Sequence, residues 1–233
     1  MIDWHSHILP RIDDGSKSVE ESVSMLRSLA SQGIKTVIAT PHFYADDCSV
    51  ERFLERRERS FEKLKSQLTE DMPGIRLGAE VRYYQGISRL EMLKDLRIEK
   101  TKLLLLEMPM CVWTESMIRE LTELSGKGGV QIVLAHIDRY IKLQKQSVWK
   151  RLLENGILMQ TNASFFTSFS AKRKAISMMG DGYIHFIGSD CHNMTTRPPM
   201  IGKAFENIRK KLGEDFIYQM NEYGYSMLEN INY

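Results

Sequence analysis

Cysteine is scarce in this chain: Cys48, Cys111 and Cys191 are the only three in 233 residues. An odd number at irregular spacing excludes a disulfide framework and fits a reducing compartment. No run approaches the roughly 18–20 apolar residues of a membrane span, which excludes direct membrane insertion through a helix. A charge excess is missing too. Thirty-two Lys and Arg against 30 Asp and Glu leave a net charge of +2, and both signs are mixed along helical stretches. With no basic stripe and no aromatic-rich basic track, nucleic acid is not an expected partner. No basic and apolar leader opens the chain, so a cytoplasmic location is expected. Linker-like stretches, repeats and low-complexity segments are also lacking, and 233 residues fit a single α/β domain over 1–233.

A composition of 42% hydrophobic and 27% charged residues is enough to bury a full core. Strand-like runs at about 2–5, 34–39, 75–79, 102–106, 130–135, 157–161 and 184–188 alternate with helical patterns. The helices are expected at about 18–32, 50–70, 114–127, 146–155, 171–179 and 200–213, with more helix toward the C-terminus. Alternation of this kind predicts parallel βαβ units, and seven strands predict an incomplete or distorted TIM-like barrel. Ser18 and Glu21 read as a capping box opening the first helix. Val19, Val23, Met25, Leu26 and Leu29 give it an apolar face and Gly33 a stop. The connection over 81–101 has no regular pattern.

Chemistry concentrates at the strand ends. His5 and His7 leave the first strand, and Asp190 and His192 follow the last. In a strand, residues i and i+2 share a face roughly 6.5–7 Å apart, so each pair can converge on a metal. His42 follows TVIATP, Glu80 follows IRLGA, Glu107 follows KLLLL, His136 follows VQIVLA, and Asp14 lies just beyond His7. Of six histidines only His185 stays outside this rim. Five imidazoles and four carboxylates without thiolate favour manganese, iron or zinc over a structural zinc site. Nine ligands exceed one ion's needs and suit three, with one carboxylate bridging. Closely spaced ions suit phosphate-ester hydrolysis. Three divalent ions would outweigh the four carboxylates by about two positive charges, which attracts a phosphate monoester. Arg139 and Arg197 are the nearest basic residues and could bind its oxygens bidentately.

One competing motif exists. Cys191 through Arg197 fits the C-x-x-x-x-x-R spacing of cysteine phosphatases. Its loop has no glycine for close backbone approach to an anion, and two better metal ligands flank the thiol, which in a strand would face away from both.

The strings IDWHSHILP, DDG, ATPH, GAEVRYY, LLLEMP, AHIDRY and GSDCHN with RPP run through the whole chain. Together they resemble the metal-dependent tyrosine-protein phosphatases of the polymerase-and-histidinol-phosphatase (PHP) superfamily, found in bacterial capsule and exopolysaccharide loci. The resemblance implies a distorted (β/α)7 barrel, the PHP fold, and a three-metal centre. One ion would be held by His5, His7, Glu80 and Asp190, a second by Glu80, Glu107 and His136, and a third by Asp14, His42 and His192. It also implies that Arg139 and Arg197 engage phosphate, and that the substrate is the phosphotyrosine-containing tail of a cognate bacterial tyrosine kinase. Lys17 and Asp138 depart from the family's usual residues, and neither is a ligand. The expected activity is therefore phosphotyrosine hydrolysis with three divalent ions, manganese first and iron or zinc as alternatives. The rival is a small-molecule phosphomonoesterase of the histidinol-phosphate phosphatase type. A non-catalytic metal protein is the reading from another class, and turnover of p-nitrophenyl phosphate separates it. No motif sets the oligomeric state.

Overall fold

The computed structural model describes residues 1–125 and 129–229. The strands are β1 (Ile2–Ser6), β2 (Thr36–Ala39), β3 (His42–Phe43), β4 (Gly74–Leu77), β5 (Glu80–Arg82), β6 (Leu103–Glu107), β7 (Gln131–Leu134), β8 (Leu158–Asn162) and β9 (Phe186–Gly188). Between and after them run the α-helices α1 (Val19–Ser31), α2 (Val50–Lys65), α3 (Glu115–Leu124), α4 (Gln146–Glu154), α5 (Ala163–Thr167), α6 (Lys172–Gly180), α7 (Gly202–Leu212) and α8 (Glu214–Glu229). Every strand pairing is parallel, in the orders β1-β2-β4 and β3-β5-β6-β7-β8-β9. The result is a mixed α/β structure around a curled parallel sheet.

All seven expected strands are present, and two short ones are added. β3 and β5 carry His42 and Glu80, which the sequence pattern leaves beyond the strand ends. Pro41 has no N–H to donate and interrupts β2 before β3. The ladder continues across the break, since Gly78 N–H donates to Ala39 O at 2.8 Å and Glu80 N–H to Pro41 O at 3.0 Å. At the other edge β9 lies beside β1. There Asp190 N–H donates to His5 O at 2.8 Å and His7 N–H to Cys191 O at 2.9 Å.

Both faces of the strands are buried, as parallel sheets require. Leu104 and Leu106 of β6 join the large core cluster, while Leu103 and Leu105 join a second one with Ile2, Trp4, Ile38, Phe186 and Leu228. The first helix matches its expected signals in part. Ser18 accepts from Glu21 N–H at 3.2 Å, but the Glu21 carboxylate turns back to Lys17 N–H at 2.8 Å, so only half of the capping box forms. Gly33 adopts φ 81 after the helix end.

Two helix expectations need correction. α2 stops at Lys65 instead of reaching 70, because Ser66 caps it and a turn follows. α5 is an extra five-residue helix, too short to leave a helical period. The end of the helix expected over 114–127 falls partly outside the described residues. The irregular connection after β5 consists of turns and two short 3-10 segments, Ile87–Arg89 and Glu91–Leu96. No described helix is long and apolar enough to cross a membrane.

Candidate metal centre

All nine expected ligands meet at one end of the sheet. Their donor atoms form four overlapping groups, each within 4.8 Å: His7, Asp14, His42 and His192; His5, His7 and Asp190; His5, Glu80 and His136; and His42, Glu80 and Glu107. Glu80 is shared. Its Oε1 lies 2.7 Å from His136 Nε2, and its Oε2 lies 2.9 Å from His42 Nδ1 and 3.2 Å from His5 Nε2. His136 Nε2 also stands 3.5 Å from Glu107. Asp14, mostly exposed, reaches His42 Nε2 at 3.3 Å and His192 Nε2 at 3.4 Å.

Local backbone features aim these side chains. The register of β1 slips between Asp3 and Ser6, the stretch that holds His5, and such irregularities re-aim side chains beside sites. Asp190 (φ 53) and His136 (φ 33) are both left-handed. Asp190 and His192 therefore do not converge by strand alternation as expected: β9 ends at Gly188, and the left-handed turn at Asp190 folds His192 back, its Nδ1 donating to Asp190 O at 3.0 Å. Two glycines let the chain close on the imidazoles. A Cβ on Gly188 would meet His5 Cβ at 2.5 Å, and one on Gly15 would meet His7 Cβ at 2.5 Å.

The donor set fits divalent metal. His5 Nε2 and His7 Nε2 face each other at 3.1 Å in a fully buried position. Glu80 Oε2, His42 Nδ1 and His192 Nε2 are buried yet make no aligned hydrogen bond, although His42 Nδ1 and Glu80 Oε2 lie within ion-pair distance. Buried polar groups without partners are costly, and lone pairs aimed at shared points are what a cation takes up. The charge pattern agrees. Burial opposes charge on Glu80 and Asp190, but the surrounding histidines hold both carboxyls well below their ordinary range. Burial likewise opposes charge on His5 and His7. Glu80 and Asp190 nevertheless raise His5, and Asp13 leads in raising His7.

Four supporting residues were not singled out by the sequence. Asp13 Oδ2 accepts from His7 Nδ1 at 2.8 Å and from His42 N–H at 3.0 Å, and its carboxyl is lowered to about 2 against the burial penalty, mainly by His7. Gln160 Oε1 takes the His136 N–H at 2.7 Å and lies 3.4 Å from His5 Nδ1. Tyr140 sets its hydroxyl 3.3 Å from His136 Nδ1 and donates to Met108 O at 2.7 Å. Asn162 donates to Asp190 Oδ2 at 2.9 Å. Such outer partners fix imidazole tautomer and ring orientation.

Arg139 and Arg197 both reach Asp190 Oδ2, at 2.5 and 2.8 Å. They line a cavity of about 320 Å³ beside Asp190, with Ser164, Thr167 and Met200 on its wall. Asn193 builds the loop that carries Arg197, accepting the N–H groups of Thr195, Thr196 and Arg197. Asp138 points elsewhere, accepting from the Thr161 hydroxyl and from Asn162 N–H. The Cys191 thiol is fully buried, and burial pushes its pKa far up, with Asp3 and Asp190 adding to the shift. A thiol held in that form is a poor nucleophile. A larger cleft of about 730 Å³, between Trp149, Arg173 and Tyr183, contains none of the nine ligands.

The family model for capsular polysaccharide synthesis proteins, CpsB/CapC, matches residues 1–224. The chain belongs to the CpsB/CapC family. Among similar CpsB/CapC proteins, the tyrosine-protein phosphatase YwqE of Bacillus subtilis is 31% identical, over 99% of this chain and 92% of its own length. The tyrosine-protein phosphatase CpsB of Streptococcus pneumoniae is also 31% identical, over 91% of each. One solved structure from work on YwqE of Bacillus subtilis and CpsB of Streptococcus pneumoniae, unique metal-dependent tyrosine phosphatases, superposes with a TM-score of 0.84 at 27% identity, covering 100% of this chain and 96% of the other. Histidinol phosphate phosphatase of Lactococcus lactis shares the fold at a TM-score of 0.54 and 14% identity, over 90% and 92% of the two chains. In this CpsB/CapC chain the one sequence signal for Asp13 is the doubled carboxylate of DDG. Gln160, Tyr140 and Asn162 carry none.

Proposed function

We propose that this chain is a metal-dependent protein-tyrosine phosphatase that acts on a bacterial tyrosine kinase in capsule or exopolysaccharide synthesis. The observation that carries the reading is the nine-residue cluster, with three buried ligand atoms that make no aligned hydrogen bond and two arginines beside it. The similar proteins named as tyrosine-protein phosphatases supply the substrate class.

In this reading residues 1–233 form one domain. The curled sheet is a distorted (β/α)7 barrel, in which β2 with β3 and β4 with β5 each count as one strand; the backbone bonds between β1 and the segment after β9 support closure. His5, His7, Glu80 and Asp190 would hold one ion, Glu80, Glu107 and His136 a second, and Asp14, His42 and His192 a third, with manganese ahead of iron or zinc. When bound, divalent ions activate water and polarise phosphoryl oxygens. The chain's own part is positioning. Asp13 holds His7 through Nδ1 and leaves Nε2 facing the cluster, while Tyr140 and Gln160 do the same for His136 and His5. Arg139 and Arg197 take the equatorial phosphate oxygens and stabilise their charge. A phenol, with a pKa of about 10, leaves far more readily than an alkyl alcohol, so tyrosine phosphate needs little help from a general acid. Buried Cys191 forms no phosphoenzyme. The protein would work in the cytoplasm, a reducing compartment that its three free cysteines fit.

The histidinol-phosphate alternative makes a different forecast. Kinetics on a phosphotyrosyl peptide and on histidinol phosphate decide between them: kcat/KM should favour the peptide. Preference for histidinol phosphate would overturn the tyrosine assignment.

A further inference from the structure

The arginines beside Asp190 have carboxylate partners, and a third arginine at the centre has none among the described residues. Arg82 ends β5, two residues beyond Glu80 and paired in register with Glu107. Strand alternation puts it on the same face as Glu80, two residues further toward the rim. It is exposed, and among the described residues no carboxylate lies within ion-pair distance of it. Its contact is aromatic: the guanidinium carbon lies 5.4 Å from the ring centroid of Tyr44. Tyr44 in turn stacks on His42, with centroids 5.2 Å apart and planes 20° from parallel. Arg82 is thus one ring away from a candidate ligand.

That arrangement restrains a long cation. An unpaired exposed arginine samples many rotamers, whereas a guanidinium over a tyrosine face is attracted by the ring quadrupole and keeps its fork free. Arg139 and Arg197 already converge on Asp190, where the phosphate is proposed to sit. Arg82 borders the Glu80–Glu107 side, where Arg139 reaches only Glu107 Oε1, at 3.6 Å. A substrate whose phosphate engages the two paired arginines would leave Arg82 for a different anion.

Resting on the phosphatase reading, we propose that Arg82, seated on Tyr44, is a specificity determinant that accepts the carboxylate of an Asp or Glu flanking the phosphotyrosine. The substrate class is therefore an acidic phosphotyrosyl peptide. Tyr44 acts as a positioning residue through Arg82.

The test compares three substrates: a phosphotyrosyl peptide with Glu beside the phosphotyrosine, the same peptide with Gln there, and p-nitrophenyl phosphate. Wild-type enzyme should prefer the Glu peptide. R82Q should lower kcat/KM for it by about threefold to tenfold, through KM, the size of loss expected of a partly exposed charge contact. The change on p-nitrophenyl phosphate should stay within about twofold, and R82K should recover part of the loss. Y44L should weaken the same preference while metal content stays full. Equal losses on all three substrates, or a wild-type enzyme indifferent to Glu against Gln, would overturn the inference and leave the phosphatase assignment standing. A wild-type protein inert on every phosphomonoester would overturn both.

Discussion

Gly188→Ala tests whether the centre depends on close backbone approach. The added Cβ would lie 2.5 Å from His5 Cβ, 2.7 Å from Gln160 Nε2 and 2.9 Å from His5 N. Ordinary carbon contacts sit at about 3.5–4.0 Å, so strand β1 or β9 must give way by about 1 Å, and Gln160 with it. Overpacking of that kind costs roughly 1–3 kcal/mol, a fall of about 2–12 °C in Tm for a chain of this size. Activity should suffer more than stability. His5 belongs to two of the four donor groups, and a misplacement of about 1 Å can cost on the order of 10²-fold in rate. Gly180→Ala is the control. Its Cβ would meet only Leu212 Cδ2 at 3.5 Å, an ordinary contact, so stability should hold or rise by up to about 1 kcal/mol. The assay is kcat on a phosphotyrosyl peptide, with metal content by elemental analysis and Tm by calorimetry. A Gly188→Ala protein with wild-type rate and full metal would refute the reasoning.

Glu80→Gln or His136→Ala should lower kcat by at least about 10²-fold; near-normal rates at unchanged metal occupancy would remove either residue from the centre. Arg139→Ala and Arg197→Ala should keep their metal but lose more than about tenfold in kcat/KM, or about 1.4 kcal/mol, and wild-type values in both would move the phosphate elsewhere. Cys191→Ser should retain most activity, whereas an inactive, folded, metal-replete variant would restore the thiol as nucleophile. His185 gives a pH test away from the ligands. Burial lowers it to about 4, and its Nδ1 accepts the Met159 N–H. The neutral form is favoured in the fold, so stability is full above pH 6.5 and falls as pH drops from there toward 4, by at most about 3 kcal/mol. Urea denaturation from pH 7 to 4.5 should show this slope reduced in His185→Asn, and identical slopes would reject it.

The seven main strands and all nine candidate ligands were legible because hydrophobic periodicity and strand-end position are local properties of sequence. What escaped was set by three-dimensional closure. Pro41 splits a strand of the curled sheet, so His42 and Glu80 acquired short strands of their own instead of trailing the longer ones. Asp13 and Asp14 are adjacent and chemically identical. Only the fold decides that one holds His7 from behind while the other reaches His42 and His192. The convergence of Asp190 with His192 was expected from a two-residue strand period and arises from a left-handed backbone turn. Arg82 was invisible as a functional residue because its proposed role rests on the lack of a carboxylate partner among the described residues, which no sequence pattern reports.

The central claim is that the buried donor cluster works as a metal centre. Its most direct test is to measure bound metal by elemental analysis alongside turnover of a phosphotyrosyl peptide as the protein is stripped with a chelator and reloaded with manganese. Activity should fall in step with metal content and return with manganese, while the stripped protein remains folded. Full turnover by protein shown to be metal-free would contradict the account.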